Sequence, residues 1–186
     1  MLHVEGDFME RLWTPWRMSY ITAEGGPGSA GPAGTGGCFL CAIAADTAGA
    51  GDAANHVLYR GRLGVVLLNR YPYNSGHVMV APYTHVADLT QLPAEVGHEL
   101  FDLTQLVLAA LQAEYRPDGY NVGLNLGTSA GAGLPGHLHL HAVPRWSGDT
   151  NFMPVLGNTK VLPEALDQTW ARLKARLAPA QGNAGP

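Results

Sequence analysis

The sequence carries few charged residues and lacks the features that mark several common protein classes. Only 14% of its 186 residues are charged, and 11 basic against 15 acidic side chains give a net charge of −4. The basic residues form no block, so the patch by which proteins bind nucleic acid is missing. No apolar run reaches the roughly eighteen residues of a membrane-spanning helix. The first residues do not resemble a secretory signal.

Cysteine is also scarce. The two cysteines, Cys38 and Cys41, both lie in the segment CFLC. Secreted disulfide scaffolds have more cysteines at wider spacing, so we expect a cytoplasmic protein. A single Cys-x-x-Cys is half of a metal site. Two other interpretations stay open: a redox pair, for which the expected βαβ context is not predicted, and two buried, inert thiols.

The composition allows one domain with a hydrophobic core. Hydrophobic residues make up 46% of the chain, which is too short for two large domains. In residues 1–37, an aromatic segment that we expect to dock on the body or on a second subunit precedes a Gly/Pro-rich loop. We assign the domain itself to residues 38–160. Residues 161–186 are predicted to form a C-terminal helix and a flexible tail.

Hydrophobic periodicity predicts an α+β fold. HVLYRGRLGVVLLN is typical of two strands joined by a tight turn at Gly61, and GHVMVAP, GYNVGLNLG and GHLHLHAVP are typical of further strands. One long helix begins near Pro93, and shorter helices are predicted for CFLCAIAADT and LPEALDQTWARLKARLA. We therefore expect a mostly antiparallel sheet of about five strands. The residues at helical spacing on the long helix are Val96, Leu100, Leu103, Val107, Ala110 and Leu111.

Three of the eight histidines, His137, His139 and His141, alternate with hydrophobic residues in GLPGHLHLHAVPRW. On a strand they would share one face, and Leu138 and Leu140 would point into the core. They could be solvated or satisfied within the fold. They could instead bind a metal with an open position for water, or provide a nucleophilic imidazole with orienting neighbours.

The preceding segment favours the nucleophile. NLGTSAGAGLPG contains glycines that let backbone N–H groups approach an anion. A glycine-rich loop alone is a weak signal. Because this one leads directly into the histidines, a phosphate cradle and a nucleophile would be adjacent, and a nucleotide is a plausible ligand for a chain of this charge.

These segments resemble the histidine triad (HIT) family. HLHLHAV, residues 137–143, is similar to the signature H-φ-H-φ-H-φ-φ, where φ is hydrophobic. NRYPYNSGHVMVAP, residues 69–82, is similar to the segment N-x-x-P-x-x-x-G-H-φ-φ-φ-x-P. The flanking RLWTPWRMSYI and RWSGDTNFMPV resemble the bacterial branch that includes diadenosine tetraphosphate (Ap4A) phosphorylases. Many members have a Gln-Ser pair before the triad, where this chain has AGAGLPG, so we expect backbone donors there.

The resemblance implies a HIT-like fold and a nucleotidyl transferase or hydrolase. His139 would attack the α-phosphorus of a nucleotide and form a covalent nucleotidyl-histidine, while His141 would contact the phosphate oxygens or the leaving group. Asn69 matches the ribose-binding position, Asn125 the asparagine near the phosphates, and His77 a histidine that supports the triad.

Further candidates surround these positions. Backbone N–H groups of Gly131, Ala132 and Gly133 would stabilise charge on the transferred phosphoryl group. Arg145 and Trp146 could be a strand-end residue and a packing aromatic. They could equally contact the base or the distal phosphates, since arginine pairs well with phosphate.

The resemblance also implies a metal site. Some members of the superfamily bind structural zinc through a Cys-x-x-Cys, a histidine after the central strand and the first triad histidine. Here these would be Cys38, Cys41, His85 and His137, a tetrahedral Cys2His2 set that leaves no position for a catalytic water. His137 would then serve the metal, and His139 and His141 the substrate.

The most specific function that the resemblance implies is phosphorolysis of Ap4A by inorganic phosphate to ADP and ATP. A hydrolase of dinucleoside polyphosphates or adenosine phosphoramidates is an alternative. A non-enzymatic nucleotide- or zinc-binding regulator is another, although the intact His139 argues against it because a binder needs no nucleophile. Family members are usually homodimers, so we expect one here, with the long helix and the aromatic N-terminal segment as plausible interface elements.

Overall fold

Five antiparallel strands form the centre of the fold in a computed structural model that describes residues 37–149 and 164–181. The N-terminal aromatic segment and the end of the tail lie outside these ranges. The strands are adjacent in the order β1-β2-β3-β5-β4. The elements are α1 Phe39–Ala45, β1 Val57–Arg60, β2 Gly64–Leu68, β3 Val78–Pro82, a 3-10 turn Leu89–Gln91, α2 Ala94–Tyr115, β4 Gly119–Leu124, a 3-10 turn Thr128–Ala130, β5 Leu140–Arg145 and α3 Leu166–Gln181.

The predicted α+β architecture is confirmed. The turn between β1 and β2 closes with a 2.8 Å hydrogen bond from Gly61 N–H to the Gly64 carbonyl. Helix α2 follows Pro93, whose fixed φ suits the start of a helix. All six apolar residues predicted at helical spacing on this helix are buried, and Thr104 joins them.

The two faces of the sheet are covered by different elements. Leu140, Ala142 and Val80 pack with α2 and α3 in the larger of two cores. Val65, Met79 and other residues of the opposite face pack with α1 in the smaller one. None of the helices in the described ranges is both long and apolar enough to cross a membrane. The strand period thus separates a structural face from the face that carries the histidines.

The triad strand is shorter than predicted. Pairing on both sides of β5 begins at Leu140, opposite Val80 on β3 and Leu124 on β4. Before this point the chain follows other partners, since the Leu138 N–H donates to the Val86 carbonyl at 2.7 Å. His137 and His139 therefore precede the strand. The alternation nevertheless continues, because Leu138 lies in the larger core and the three histidines do not.

Helix α3 closes the structural face through both apolar and polar contacts. Leu173 and Leu177 are each 1% exposed. The Trp170 indole N–H donates to the Val57 carbonyl at 3.0 Å. Arg172 and Arg176 pair with Glu114 near the end of α2. This C-terminal helix is therefore an integral part of the fold.

Candidate active site and metal site

His139 and His141 form a pair on the face opposite α2. They are 8% and 6% exposed, and their rings pack edge to face with centroids 4.8 Å apart. Met79 of β3 lies directly opposite His141 in the register. The two imidazoles are thus held by packing against each other on the same face of the sheet.

The backbone sets the tautomer of His139. Its Nδ1 lies 2.8 Å from the carbonyl oxygen of His137. A carbonyl only accepts hydrogen bonds, so Nδ1 carries the hydrogen. In a neutral imidazole the lone pair then lies on Nε2, on the far side of the ring from this backbone contact. This is the state that a nucleophilic imidazole requires.

A second chain of hydrogen bonds sets the tautomer of His141. The Tyr73 N–H donates to Nδ1 of His77 at 3.0 Å, which places the hydrogen of a neutral His77 on Nε2. That atom lies 3.0 Å from Nδ1 of His141. His141 Nδ1 is therefore the acceptor, and its hydrogen lies on Nε2. His141 can donate this hydrogen to a phosphate oxygen.

The turn before β3 brings His77 into place. Gly76 has φ +76°, a conformation that L side chains rarely adopt, and a Cβ there would lie 3.1 Å from Leu111. Glycine meets both requirements. The Tyr73 ring stacks on His77 at a centroid distance of 4.7 Å. The supporting role predicted for His77 agrees with this geometry.

A hollow of about 290 Å³ opens beside the two histidines. One wall is apolar, with side chains from α1, β2, β3 and the loop before β5. The polar residues that line the hollow include Asn69 and the histidine pair, and Gly133 lines it as well. The apolar lining residues are Phe39, Ile43, Leu67, Met79 and Leu134. A mainly apolar lining with a few polar groups is typical of a small-molecule site.

A second hollow, of about 310 Å³, lies on the other side of His141. Its wall is formed by β4 and β5 together with Tyr73 and Asn125. His141 lines both hollows. The site can therefore accept a ligand that extends in two directions from the histidine pair.

Cys38, Cys41, His85 and His137 converge in a separate cluster. One ligand atom from each lies within 4.8 Å of all the others. Nδ1 of His137 is 3.2 Å from Cys38 Sγ and 3.6 Å from Cys41 Sγ, and Nδ1 of His85 is 3.1 Å from Cys41 Sγ. Tetrahedral zinc would place such S and N atoms about 3.5 Å apart. The donor set and its spacing fit a zinc ion.

The surroundings of the cluster also suit a metal. Nε2 of His137 donates to the Pro82 carbonyl at 2.9 Å, the type of outer contact that orients a metal-binding histidine. Burial lowers the pKa of His137, which favours the neutral, ligating imidazole. Burial, together with the neighbouring Cys38, raises the pKa of the Cys41 thiol to about 11. A cation would compensate for the cost of ionising that thiol.

The comparisons with known proteins agree with this geometry. The family model described as "HIT domain" matches residues 50–148, about half of the chain, and that range contains the histidine pair, Asn69 and His77. The chain belongs to the histidine triad family. Its antiparallel sheet and long helix are those of the HIT fold.

Two proteins of similar sequence have names that describe an activity. The chain is 42% identical over 176 residues to the AP-4-A phosphorylase of Mycobacterium tuberculosis, which covers 89% of this chain and 87% of that protein. It is 33% identical over 91 residues to a bis(5'-adenosyl)-triphosphatase of Saccharomyces cerevisiae, covering 48% of this chain and 44% of that one.

A solved HIT structure is similar in shape. The structure of a Zn-bound histidine triad family protein from Mycobacterium smegmatis matches with a TM-score of 0.62 and 29% identity. The match covers 78% of this chain and 96% of that one.

Only some of the remaining predicted site residues lie beside the histidine pair. Gly133 lines the first hollow, and its N–H makes no hydrogen bond within the described residues. The N–H groups of Gly131 and Ala132 instead donate to Thr128 and Gly127 within their own loop. Of the three predicted backbone donors, Gly133 is the one that the structure brings beside His139.

Arg145 and Trp146 line neither hollow. The Arg145 guanidinium pairs with Asp149 at 2.7 Å and also donates to Asn121. The Trp146 N–H donates to the same carboxylate at 3.2 Å. In the described structure, these contacts connect Arg145 and the backbone of Trp146 to Asp149 at the end of β5.

The apolar wall of the first hollow is the part of the site that the sequence analysis missed. Leu67 has the same strand parity as Asn69, and Met79 the same parity as His77, so each shares a face with a predicted site residue. Phe39 and Ile43 are four residues apart on α1, a spacing that places them on one side of a helix. These two periodicities could have identified the wall.

Proposed function

We propose that this HIT protein is an Ap4A phosphorylase, which converts Ap4A and inorganic phosphate into ADP and ATP. The observation that carries the proposal is the His139 tautomer: Nδ1 is bound to the His137 carbonyl, which leaves the lone pair on Nε2 beside a hollow suited to a nucleoside. The 42% identity to the mycobacterial AP-4-A phosphorylase supports it.

The two halves of the reaction use the same groups. Nε2 of His139 bonds to the α-phosphorus as the bond to the bridging oxygen breaks and ATP leaves. An oxygen of inorganic phosphate then bonds to that phosphorus as the P–N bond breaks, which releases ADP and restores the imidazole. His141 Nε2–H and Gly133 N–H donate hydrogen bonds to the phosphoryl oxygens in both steps.

The nucleoside part of the substrate binds in the first hollow. The base packs against the apolar wall formed by Phe39, Leu67 and Met79, and Asn69 binds the ribose. Asn125, which lines the second hollow with His141, lies near the phosphates. Arg145 and Trp146 support the end of β5 from outside both hollows.

The deciding experiment is incubation with Ap4A in the presence and absence of inorganic phosphate, followed by separation of the nucleotides. ADP and ATP that appear only with phosphate support the phosphorylase. AMP and ATP formed equally well without phosphate would instead make the protein a hydrolase, the activity named in the yeast relative. If His139→Asn keeps nucleotide binding and loses turnover, the covalent route is supported. Turnover by that variant would remove His139 from its role.

We also propose that the ligand cluster holds structural zinc. Cys38, Cys41, His85 and His137 supply four donors, so no coordination position remains for a water or substrate. Thiolate ligands persist in reducing surroundings, which supports a cytoplasmic location. Cell fractionation tests the location, and metal analysis of the purified protein tests the zinc.

Finally, we propose a homodimer. Strand β4 forms an edge of the sheet, and Val122 on it is 45% exposed, while Phe101 on α2 is 66% exposed. An exposed apolar side chain on an edge strand, and a second one on a helix, favour association with another chain. Light scattering after size exclusion gives the mass. A monomer at micromolar concentration, or a dimer that is unaffected by Phe101→Glu, would count against this interface.

A further inference from the structure

Arg70 is the one lysine or arginine that lines either hollow in the described part of the chain. It is exposed and lines the first hollow together with both His139 and His141. Its guanidinium makes no hydrogen bond or ion pair with residues 37–149 or 164–181. The Arg70 side chain is therefore a cation beside the two histidines whose N–H donors are not used by these residues.

Most other described arginines have acidic partners. Arg62 lies near Glu95 and Glu99 on the helical side of the sheet, with N–O distances of 3.8–3.9 Å. The closer pairs are Arg60 with Asp52, Arg145 with Asp149, and Arg172 and Arg176 with Glu114. Arg70 thus differs from this group both in its place beside the histidines and in its lack of such a partner.

A local turn positions Arg70. The Asn69 side-chain oxygen accepts the Tyr71 N–H at 2.9 Å, which closes an Asx turn with Arg70 at its centre. Asn69 is 8% exposed, so the turn is anchored in the core while its central residue stays outside. The turn residues Asn69, Arg70 and Tyr71 all line the first hollow.

The proposed reaction gathers negative charge on one side of the α-phosphorus. In an in-line displacement, the leaving phosphates of ATP lie opposite His139, and the incoming inorganic phosphate must enter from that same side. Both groups are anionic, whereas the protein carries a net charge of −4. The planar guanidinium fork matches phosphate oxygens and can bind them in pairs.

We infer that Arg70 binds the phosphates beyond the scissile bond and then the inorganic phosphate that replaces them. This inference rests on the proposed function and specifies which residue favours phosphate over water as the acceptor. A nucleoside monophosphate has no phosphate in that position. Arg70 therefore distinguishes polyphosphates from AMP.

Calorimetric titration of AMP and ATP into the wild type, Arg70→Gln and Arg70→Lys tests the inference without requiring turnover. Loss of a charged hydrogen-bonding group should weaken ATP binding by about tenfold, while AMP binding stays unchanged. Arg70→Lys should keep part of the ATP affinity because it retains the charge. In phosphorolysis assays, the KM for inorganic phosphate should rise in Arg70→Gln.

Arg62→Gln is the matched control, since it removes the same charge from an exposed arginine that lines neither hollow. If Arg62→Gln weakens ATP binding as much as Arg70→Gln does, the weaker binding comes from the change in net charge alone, and the inference is overturned. Unchanged ATP binding in Arg70→Gln, or equal loss of AMP and ATP binding, would overturn it as well. If wild-type protein binds ATP through Arg70 but does not split Ap4A, the proposed function and the role of Arg70 toward inorganic phosphate fail, while its role in binding polyphosphates stands.

Discussion

The chemistry of single residues depends on which nitrogen of each imidazole carries its hydrogen. His139 and His141 lie two residues apart, yet their tautomers are set by different groups. The His137 carbonyl sets the first, and His77, itself fixed by the Tyr73 N–H, sets the second. In the proposed reaction, His139 would attack through the lone pair on Nε2, and His141 would donate the hydrogen on its own Nε2.

In the proposed reaction, His77 would be a positioning residue that acts through His141. His77→Phe keeps an aromatic ring but removes the N–H that fixes the His141 tautomer, so kcat for Ap4A should fall by about 100-fold with little change in KM. The pH profile of kcat should also change, because His141 is released to bind its hydrogen on either nitrogen. Steady-state kinetics between pH 5 and 9 measures both effects.

The conservative variant separates positioning from packing. His77→Gln offers an N–H donor of similar reach and should be more active than His77→Phe. Equal activity of the two variants, or an unchanged pH profile in both, would show that His77 only fills space.

At the scale of elements, the ligand cluster joins three segments that are far apart in sequence. Cys38 and Cys41 belong to the start of α1, His85 follows β3, and His137 precedes β5. Helix α1 has seven residues, too few to be stable alone. It also supplies Phe39 and Ile43 to the apolar wall. A metal at the cluster would fix that wall to the sheet.

Replacing Cys41 with Ser should therefore lower zinc content and thermal stability more than it lowers the rate of the chemical step. A bound ion at a thousandfold excess over its Kd contributes about 4 kcal/mol, which corresponds to roughly 8–16 °C in Tm for a chain of this size. Metal analysis and calorimetric melting measure the two quantities. His98→Ala, an exposed histidine of α2, is the control. Full zinc content and an unchanged Tm in Cys41→Ser would contradict the proposed site.

The elements were largely predictable because each has a local signal. The period of α2, the turn at Gly61 and the alternation around the histidines all agree with the structure. The start of β5 was not predictable, since it depends on where β3 and β4 end in space. The sequence also did not show that Arg145 lies outside both hollows, because the turn after β5 brings its partner Asp149 to it.

At the scale of the whole molecule, the two faces of the sheet have different roles. One face packs against α2 and α3 and maintains the fold, while the other presents the histidines and both hollows. The family motif allowed the site residues to be proposed from the sequence. The apolar wall was missed because it is assembled from α1, β2 and β3, and no single motif contains it.

Asp149 connects these parts near the site. Its carboxylate, whose side chain is 8% exposed, pairs with Arg145 and accepts a 2.8 Å hydrogen bond from Asn74. Asn74 belongs to the loop between β2 and β3 that carries Asn69, Arg70 and His77. The hydrogen bond from Arg145, despite some burial, holds the pKa of Asp149 well below its usual range. The ionised carboxylate therefore stabilises the folded state.

This predicts a pH-dependent stability difference between the wild type and Asp149→Asn. A carboxyl whose pKa is lower in the folded state stabilises the fold above its unfolded pKa of about 4, and the contribution is lost as the pH falls through the folded value. At pH 7 the variant should be less stable by about 1.5–3 kcal/mol, the range for a charged hydrogen bond. The gap should narrow steadily below about pH 4. Urea unfolding at pH 7, 5 and 3 measures it, with Asp102→Asn on the exposed side of α2 as the control. A gap of the same size at pH 3 and pH 7 would show that the charge of Asp149 does not hold the loop in place.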